Sequence, residues 1–226
     1  MRFLLTATAI FLAAHGAAQA ADMPKQPHKV ARAAMAKPVQ QPRAEAQQSA
    51  QDVVKTFYGQ LLFVMQRGDK LGFEGRYAQL KPAIERALDL PMMTRFAVGS
   101  DWFKAAPAEQ QRLIAAFSDF SVATYASRFA GFSGEKFEVI GEKPAPGGGM
   151  IVETRLVPHE GETPVTLNYL LRQDANKEWR INDVYLDATI SELAVRHAEF
   201  SSVIRDDGVQ ALIDVLDKKA KGMKNT

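Results

Sequence analysis

Three carboxylates in the second half of the chain are candidates for acid–base chemistry: Glu153, Asp183 and Asp187. Asp183 and Asp187 lie four residues apart around the end of an expected strand, and that spacing places them on the same face. Paired carboxylates in a pocket raise one another's pKa, which is what a general base needs. A solvated or capping aspartate has the same spacing, and Asp187 precedes Thr189 by two residues at the start of an expected helix. The sequence favours this structural role and leaves Asp183 as the base of an alternative, enzymatic interpretation.

Other catalytic and metal-binding patterns are missing from the sequence. The chain has no cysteine, which excludes thiol nucleophiles, thiolate metal sites and disulfides. His159 and His197 occupy an expected loop and a helix stripe, and a histidine on an apolar helix face is more often a core residue than a ligand. Gly147-Gly148-Gly149 leads into a strand rather than a helix, so it indicates a hairpin turn and not a phosphate loop. No serine stands in a nucleophile-elbow pattern. We therefore expect no enzyme activity, metal or cofactor.

The elements that position these residues are organised around a hairpin at residues 163–186. Apolar and polar residues alternate in both of its halves, and the polar turn Gln173-Asp174-Ala175-Asn176-Lys177 joins them. Because side chains alternate along a strand, Leu167 and Tyr169 belong to one apolar strip and Asn168 lies on the other face. The apolar face of the hairpin must be buried, and we expect helices from the rest of the chain to pack on it.

Helical and strand periods alternate in blocks along the chain. The N-terminal block predicts a helix up to Met65 with Gly68 as its cap, a second helix interrupted at Pro82, and a short third from Pro91 to Gly99. A long helix follows from Pro107 to about Phe129. Two strands precede the hairpin, at residues 136–140 and 150–157. Thr189-Ile190-Ser191-Glu192 has the form of a capping box that opens a further helix, which Asp207-Gly208 divides from a last one. This order predicts an α+β domain: a four-stranded antiparallel sheet covered on one face by N-terminal and C-terminal helices.

The first 50 residues are expected to lie outside that domain. Arg2, an apolar run to Ala14 and the small-x-small site Ala18-Gln19-Ala20 are typical of a signal peptide cleaved after Ala20. Residues 21–50 contain no aromatic residue and few branched ones, so they cannot bury enough surface to offset their ordering entropy. The expected division is a signal peptide at 1–20, a disordered tether at 21–50 and the folded domain at 51–226.

The positive charge of the chain is concentrated in the tether. Residues 21–50 hold five basic and two acidic side chains, and the part from Gln51 onward has a slight negative net charge. Nucleic-acid binding needs a basic patch on the fold itself. The sequence therefore gives no support to a nucleic-acid partner.

Five segments resemble one family of proteins in their amino-acid sequence and in their order along the chain, over about residues 51–220. They are Phe73-Glu74-Gly75-Arg76-Tyr77; Pro82-Ala83-Ile84 with Asp89-Leu90-Pro91-Met92-Met93; Thr124-Tyr125-Ala126-Ser127-Arg128-Phe129; Val165-Thr166-Leu167-Asn168-Tyr169; and Trp179-Arg180-Ile181-Asn182-Asp183-Val184-Tyr185. The chain resembles the MlaC-type, or toluene-tolerance, family of periplasmic phospholipid-binding proteins, and most closely its hopanoid-associated HpnM branch. It departs from the family in its tether and in Ala188, where members commonly carry glycine.

The resemblance implies a soluble periplasmic carrier that moves a phospholipid or a hopanoid between the inner and outer membranes. Its partners would be an inner-membrane lipid transporter and an outer-membrane acceptor or donor complex. The acyl chains would lie in a slot between the sheet and the helices. Large aromatic and aliphatic residues of facing elements are the candidates for lining it: Phe117, Phe120, Tyr125, Val152, Leu167, Tyr169, Tyr185 and Phe200.

Each of these residues is also what an ordinary protein core uses, and the resemblance alone favours the slot. The amphipathic helices are equally compatible with an adaptor that binds protein only. The sequence thus leaves three classes open: a lipid carrier, an enzyme with Asp183 as base, and an adaptor.

Overall fold

The computed structural model describes residues 48–159 and 163–224. The predicted signal peptide, nearly all of the predicted tether and the junction between them lie outside these residues. The helices are α1 (Ala50–Met65), α2 (Gly68–Ala87), α3 (Leu90–Val98), α4 (Pro107–Arg128) and α5 (Glu192–Lys224), with a 3₁₀ turn at Gly99–Phe103. The strands are β1 (Lys136–Pro144), β2 (Met150–Val157), β3 (Val165–Gln173), β4 (Trp179–Leu186) and β5 (Ile190–Ser191).

A serine fixes the start of α1. The Ser49 hydroxyl accepts a hydrogen bond from the Asp52 N–H, and the Asp52 carboxylate accepts one from the Ser49 N–H. This reciprocal pair satisfies two of the N–H groups that a helix start leaves without partners. The Ser49 hydroxyl also donates to the Asp52 carboxylate at 2.6 Å, and this hydrogen bond, together with the one from the Ser49 N–H, holds the pKa of Asp52 below its usual value.

The junction of α1 and α2 differs from its prediction. Gly68 is the first residue of α2, not the cap of α1, which ends at Met65 with Gln66 as its C-cap. A Cβ atom on Gly68 would lie 1.7 Å from the carbonyl oxygen of Ala130, just beyond α4. Glycine is therefore required at residue 68 by close backbone approach and not by a turn. The predicted interruption at Pro82 was also wrong, because α2 continues through it and bends instead at Gly72 (φ 60°).

The sheet is antiparallel, as predicted, but it has five strands in the order β1-β2-β3-β4-β5. The predicted capping box would have started α5 after Thr189. Instead the Ser191 hydroxyl accepts from the Ala194 N–H, so the helix begins at Glu192. Ile190 and Ser191 are then available to pair with the end of β4 as a fifth strand.

The turn between β4 and β5 keeps the backbone shape that glycine would favour. Asp187 and Ala188 both have positive φ angles, of 50° and 61°. Aspartate tolerates this left-handed conformation, whereas alanine is strained in it. Compared with a glycine, the alanine at 188 therefore adds strain to the turn and leaves its backbone conformation the same.

Two bulges interrupt the regular pairing. In β1 the register shifts between Val139 and Gly141, which leaves Ile140 as the extra residue. In β4 it shifts at Asn182, since Leu171 pairs with Ile181 while Leu170 pairs with Asp183. Each bulge moves the residues beyond it to the opposite face from the one that strict alternation predicts.

One face of the sheet is covered by helices. Tyr169 pairs with Val152 on one side and Val184 on the other, and directly paired residues point to the same face. Tyr58 of α1 packs on this face, with its ring centroid 5.6 Å from that of Tyr169. The predicted α+β class with an antiparallel sheet is confirmed, with five strands instead of four.

The C-terminal part of the chain closes the helical layer. α5 packs along α4, with the Phe117 and Phe200 rings in edge-to-face contact at 6.0 Å. The predicted break at Asp207-Gly208 is a bend inside α5, at Gly208 with φ 85°. Within the described residues no helix is both long enough and apolar enough to cross a membrane.

Candidate functional site

An aromatic cluster fills the space between the sheet and the helices α1 and α4. Tyr58 stacks on Phe137 of β1 at 4.5 Å, and Tyr125 of α4 stacks on Phe129 at 5.6 Å. Phe129 and Phe137 join the two pairs at 6.1 Å. The full cluster is Phe57, Tyr58, Tyr125, Phe129, Phe137 and Tyr169.

The tyrosine hydroxyl at the centre of the cluster is satisfied internally. The Tyr58 Oη lies 2.5 Å from the Thr154 Oγ1, and the Thr154 hydroxyl donates to the carbonyl of Leu167. A hydroxyl has one proton, so Tyr58 is the donor in the first hydrogen bond. This relay lets a phenol lie in an apolar layer without an unsatisfied polar atom.

Burial keeps the phenols of the cluster neutral. It raises the pKa of Tyr58 to about 12. Burial likewise raises the pKa of Tyr125 and of Tyr169 well above the ordinary value. The layer carries no charge at physiological pH and is suited to contact with hydrocarbon.

The raised tyrosine pKa values predict a loss of stability in alkali. Tyr58 ionises near pH 10 when unfolded and near pH 12 when folded, so between these values the native state binds more protons. The stabilisation that this shift provides is fully present below about pH 10. The free energy of unfolding then falls by roughly 2–3 kcal/mol as the pH rises to about 12. Urea unfolding followed by circular dichroism from pH 8 to 12 measures this, and Tyr58→Phe is expected to flatten the decline. A wild-type free energy that stays constant over this range would contradict it.

The predicted lining residues fall into three groups. Tyr125 and Tyr169 belong to the aromatic cluster, and Val152 and Leu167 share its face of the sheet. Phe117, Phe120 and Phe200 are buried in the helical layer instead, where Phe117 meets Phe200 and Phe120 lies under the Arg196 guanidinium at 5.1 Å. Tyr185 pairs with Asn168 and so lies on the opposite face of the sheet.

Four residues of the cluster were not among the predicted lining residues: Phe57, Tyr58, Phe129 and Phe137. Phe57 and Tyr58 lie in the apolar stripe of α1. A stripe shows which face of a helix is buried but not what it packs against. Phe129 ends the segment Thr124–Phe129 that carries the family resemblance, which was the available signal for its role.

A half-open cleft of about 720 Å³ adjoins the cluster. It lies between α1, α2 and the hairpin turn that joins β3 to β4, and Phe57 forms part of its wall. The Phe57 ring also contacts Tyr125 edge-on at 5.5 Å. Phe57 therefore belongs both to the wall of the cleft and to the aromatic cluster. The cleft is lined by Gln48, Val53, Thr56, Phe57, Gln60, Gln79, Pro82, Ala83, Arg86, Ala87, Asn176, Lys177, Glu178, Trp179 and Arg180.

The arrangement matches a known family over most of the folded part. The family model described as MlaC protein matches residues 55–218. The chain belongs to the MlaC family. The resemblance found in the sequence is confirmed at this level.

A solved structure shares the MlaC-type fold of this chain. It is the phospholipid-binding protein from Ralstonia solanacearum, determined in complex with a phospholipid. The two chains are 22% identical and superpose with a TM-score of 0.66, over 77% of this chain and 98% of the other. No curated protein sequence matches.

Asp183, the candidate base, has a structural role in this MlaC-family chain. Its carboxylate accepts hydrogen bonds from the N–H groups of Val184 and Leu193 and from the Ser191 hydroxyl at 2.6 Å. Leu193 lies in the first turn of α5, where a carboxylate is also favoured by the helix dipole. Asp183 thus ties β4 to β5 and α5. Asp187, predicted as the possible cap, contributes only backbone groups to this turn.

Removing the Asp183 carboxylate is expected to destabilise the fold. Asp183→Ala leaves buried N–H groups without an acceptor and should lower the free energy of unfolding by about 3 kcal/mol. Asp183→Asn retains one acceptor oxygen and should lose about 1 kcal/mol. Asp187→Asn, which suits the same positive φ, is the control and should change little. Denaturant unfolding measures all three, and equal stability of Asp183→Ala and wild type would contradict the structural role.

The two histidines do not come together. His197 places its Nδ1 3.1 Å from the carbonyl oxygen of Ala97, whereas His159 follows β2 beside Gly134. Among the residues that the structure describes, no group of three or more His, Asp or Glu side chains is arranged to hold a metal ion.

Proposed function

We propose that the chain is a periplasmic carrier that moves a phospholipid or a hopanoid between the inner and outer membranes. The observation that carries the proposal is the uncharged aromatic cluster between the sheet and the helices, next to a cleft with a polar rim. Membership of the MlaC family and the fold shared with a phospholipid-binding protein support it.

The energetics of a lipid in water explain why such a layer is needed. A two-chain lipid has roughly 30 methylenes, each worth about 0.8 kcal/mol, so exposing its tails costs on the order of 20 kcal/mol. A carrier must enclose most of that surface. In this chain the acyl chains would enter between the sheet face of Tyr169 and the helices α1 and α4, and the rings of the cluster would separate to admit them.

Asp183 is unsuitable as the general base of the enzymatic alternative. Both oxygens of Asp183 accept hydrogen bonds that hold β5 and α5 in place. A general base must instead accept a proton from a bound substrate. We therefore propose a binding and transport role for this site and not a catalytic one.

The proposed compartment and partners follow from the carrier role. The chain would be exported by its first 20 residues and would begin at Ala21 when mature. It would receive or deliver lipid at an inner-membrane transporter and at an outer-membrane complex. Residues 21–50 would serve as a tether outside the lipid-binding domain.

Lipid that copurifies with the exported protein tests the proposal. The full chain is expressed with its N-terminal segment, purified from the exported fraction without detergent and extracted with organic solvent. Mass spectrometry of the extract should show about one equivalent of a two-chain phospholipid or a hopanoid, and so identify which of the two is carried. An extract without lipid, from protein that also takes up none from vesicles, would contradict the carrier and favour a protein-binding adaptor.

A further inference from the structure

The cleft beside Phe57 has a charge pattern that the rest of the site lacks. Its lining includes three cationic side chains, Arg86, Lys177 and Arg180, and one carboxylate, Glu178. The aromatic cluster, in contrast, contributes only neutral groups. The lining of the cleft therefore has an excess of basic side chains, which attracts an anion.

Arg180 has a structural role in the cleft. Its guanidinium pairs with Asp174 at 3.2 Å and with Glu178 at 2.6 Å. It also donates to the backbone carbonyl of Arg86. These contacts fix the end of α2 against β4 and use the donors of Arg180.

Arg86 differs from Arg180 because its side chain is exposed and uncommitted. Among the residues that the structure describes, no carboxylate lies within ion-pair distance of the Arg86 guanidinium. The backbone that carries Arg86 is nevertheless fixed, since its carbonyl accepts from Arg180 and the Asp89 N–H donates to the Ile181 carbonyl at 2.9 Å a few residues later. The guanidinium that extends from this backbone presents several donors in a fork that matches a phosphate group.

The remainder of the lining suits an amphiphile. Val53, Phe57, Pro82 and Ala87 are apolar, and Phe57 leads to the aromatic cluster through its contact with Tyr125. The volume of about 720 Å³ is within the usual range for ligand sites. A molecule with a charged end and a hydrocarbon end would place the first at Arg86 and the second towards Phe57.

We propose that this cleft binds the phosphate-bearing headgroup of the carried lipid, with Arg86 as the direct phosphate ligand. The inference rests on the proposed carrier function and adds its ligand class and a specificity-determining residue. A phosphate ester gains the Arg86 contact, and a neutral lipid with the same tails does not. The headgroup then remains at the surface while the acyl chains pass Phe57 into the layer under the sheet.

A competition between two lipids tests this inference. Protein stripped of lipid is incubated with mixed micelles that contain equal amounts of phosphatidylglycerol and of a diacylglycerol with the same acyl chains. The bound lipids are separated by gel filtration and quantified by mass spectrometry. Wild type is expected to prefer the phospholipid, and Arg86→Gln to lower the ratio of bound phospholipid to bound diacylglycerol about fivefold, as for a solvent-accessible ion pair.

The matched control is Arg205→Gln, which removes an exposed arginine from α5, paired at 3.2 Å with Asp206. It should leave the ratio unchanged, and thermal melts should show both variants folded. An unchanged ratio in Arg86→Gln, or equal binding of the two lipids by wild type, would overturn the headgroup site and leave the carrier standing. Failure of wild type to bind either lipid would instead contradict the proposed function.

Free phosphate compounds are distinguished by a separate titration. Glycerol 3-phosphate, which has the headgroup chemistry without tails, is titrated into the stripped protein by calorimetry. Weak or undetectable binding agrees with a site that needs the tails as well. Binding that Arg86→Gln abolishes, without any preference for the phospholipid in the micelle assay, would assign the cleft to a soluble phosphate ester and overturn the proposal.

Discussion

Gly68→Ala is expected to lower the free energy of unfolding by about 4 kcal/mol. The added methyl group would lie 1.7 Å from the Ala130 carbonyl oxygen, and the atom that must move belongs to the backbone. The same junction is held by Arg76, which donates to the carbonyls of Gly68 at 3.0 Å and of Ala126 at 2.8 Å. A shift of α2 away from the end of α4 would lose both hydrogen bonds. Urea unfolding followed by circular dichroism measures the change.

Gly59→Ala is the matched control for this substitution. Gly59 is exposed in the middle of α1, and a Cβ there would meet no atom within 4 Å. Alanine has the better helix propensity, so this variant should be more stable than wild type by about 0.5–1 kcal/mol. Opposite signs for the two glycines are the expected result. If Gly68→Ala were as stable as wild type, the backbone at Ala130 would be able to move at little cost in free energy.

Leu167→Arg is expected to abolish lipid copurification, a reduction of at least about 100-fold. Leu167 lies on the helix-covered face of β3, paired with Thr154 and Leu186 and partly buried against the core. An ion placed among acyl chains costs several kcal/mol. The variant is purified as for wild type, and its extract is analysed by mass spectrometry. Circular dichroism and a thermal melt establish that it is folded.

Ile140→Arg is the control for a new charge on the sheet. Ile140 is 59% exposed at the bulge of β1, so arginine there should leave lipid binding unchanged. The sequence suggested Asn168 for this purpose, but the structure makes it unsuitable, because Asn168 is buried and its side chain accepts from the Thr154 N–H. The slot is refuted if Leu167→Arg unfolds the protein outright, or folds and still carries lipid.

Local sequence signals were sufficient for most elements of the fold. β2, β3 and β4 have the predicted bounds within a residue or two, because apolar alternation and the Asp174–Lys177 turn define them locally. α4 begins at Pro107 and α3 begins one residue before Pro91, because proline suits the first turn of a helix. The role of Gly68 was missed because a contact with Ala130, 62 residues away in the chain, decides it.

The site was harder to predict, and the bulge in β4 shows why. Trp179 and Ile181 face the helices, and strict alternation would continue this face through Tyr185. The extra residue at Asn182 moves Val184 and Leu186 to that face and Tyr185 to the other. A bulge leaves no local signature in an alternating run, so one residue was enough to change the predicted lining. The cleft was missed because α1, α2 and the β3–β4 turn meet only through tertiary packing.

The bulge in β1 has a consequence for how copies of this chain behave beside one another. β1 is the outer strand of the sheet, and an outer strand with exposed N–H and C=O groups is a template on which a second molecule can add a strand. In β1 the bulge at Ile140 interrupts that row of groups, Lys136 and Lys143 place charges on it, and Pro144 ends it. On the opposite edge β5 pairs with the end of β4, and the segment after α2 bridges the middle of β4 through Leu88 and Ile181. Both borders of the sheet are thereby poor templates for the edge-to-edge pairing that leads to aggregation.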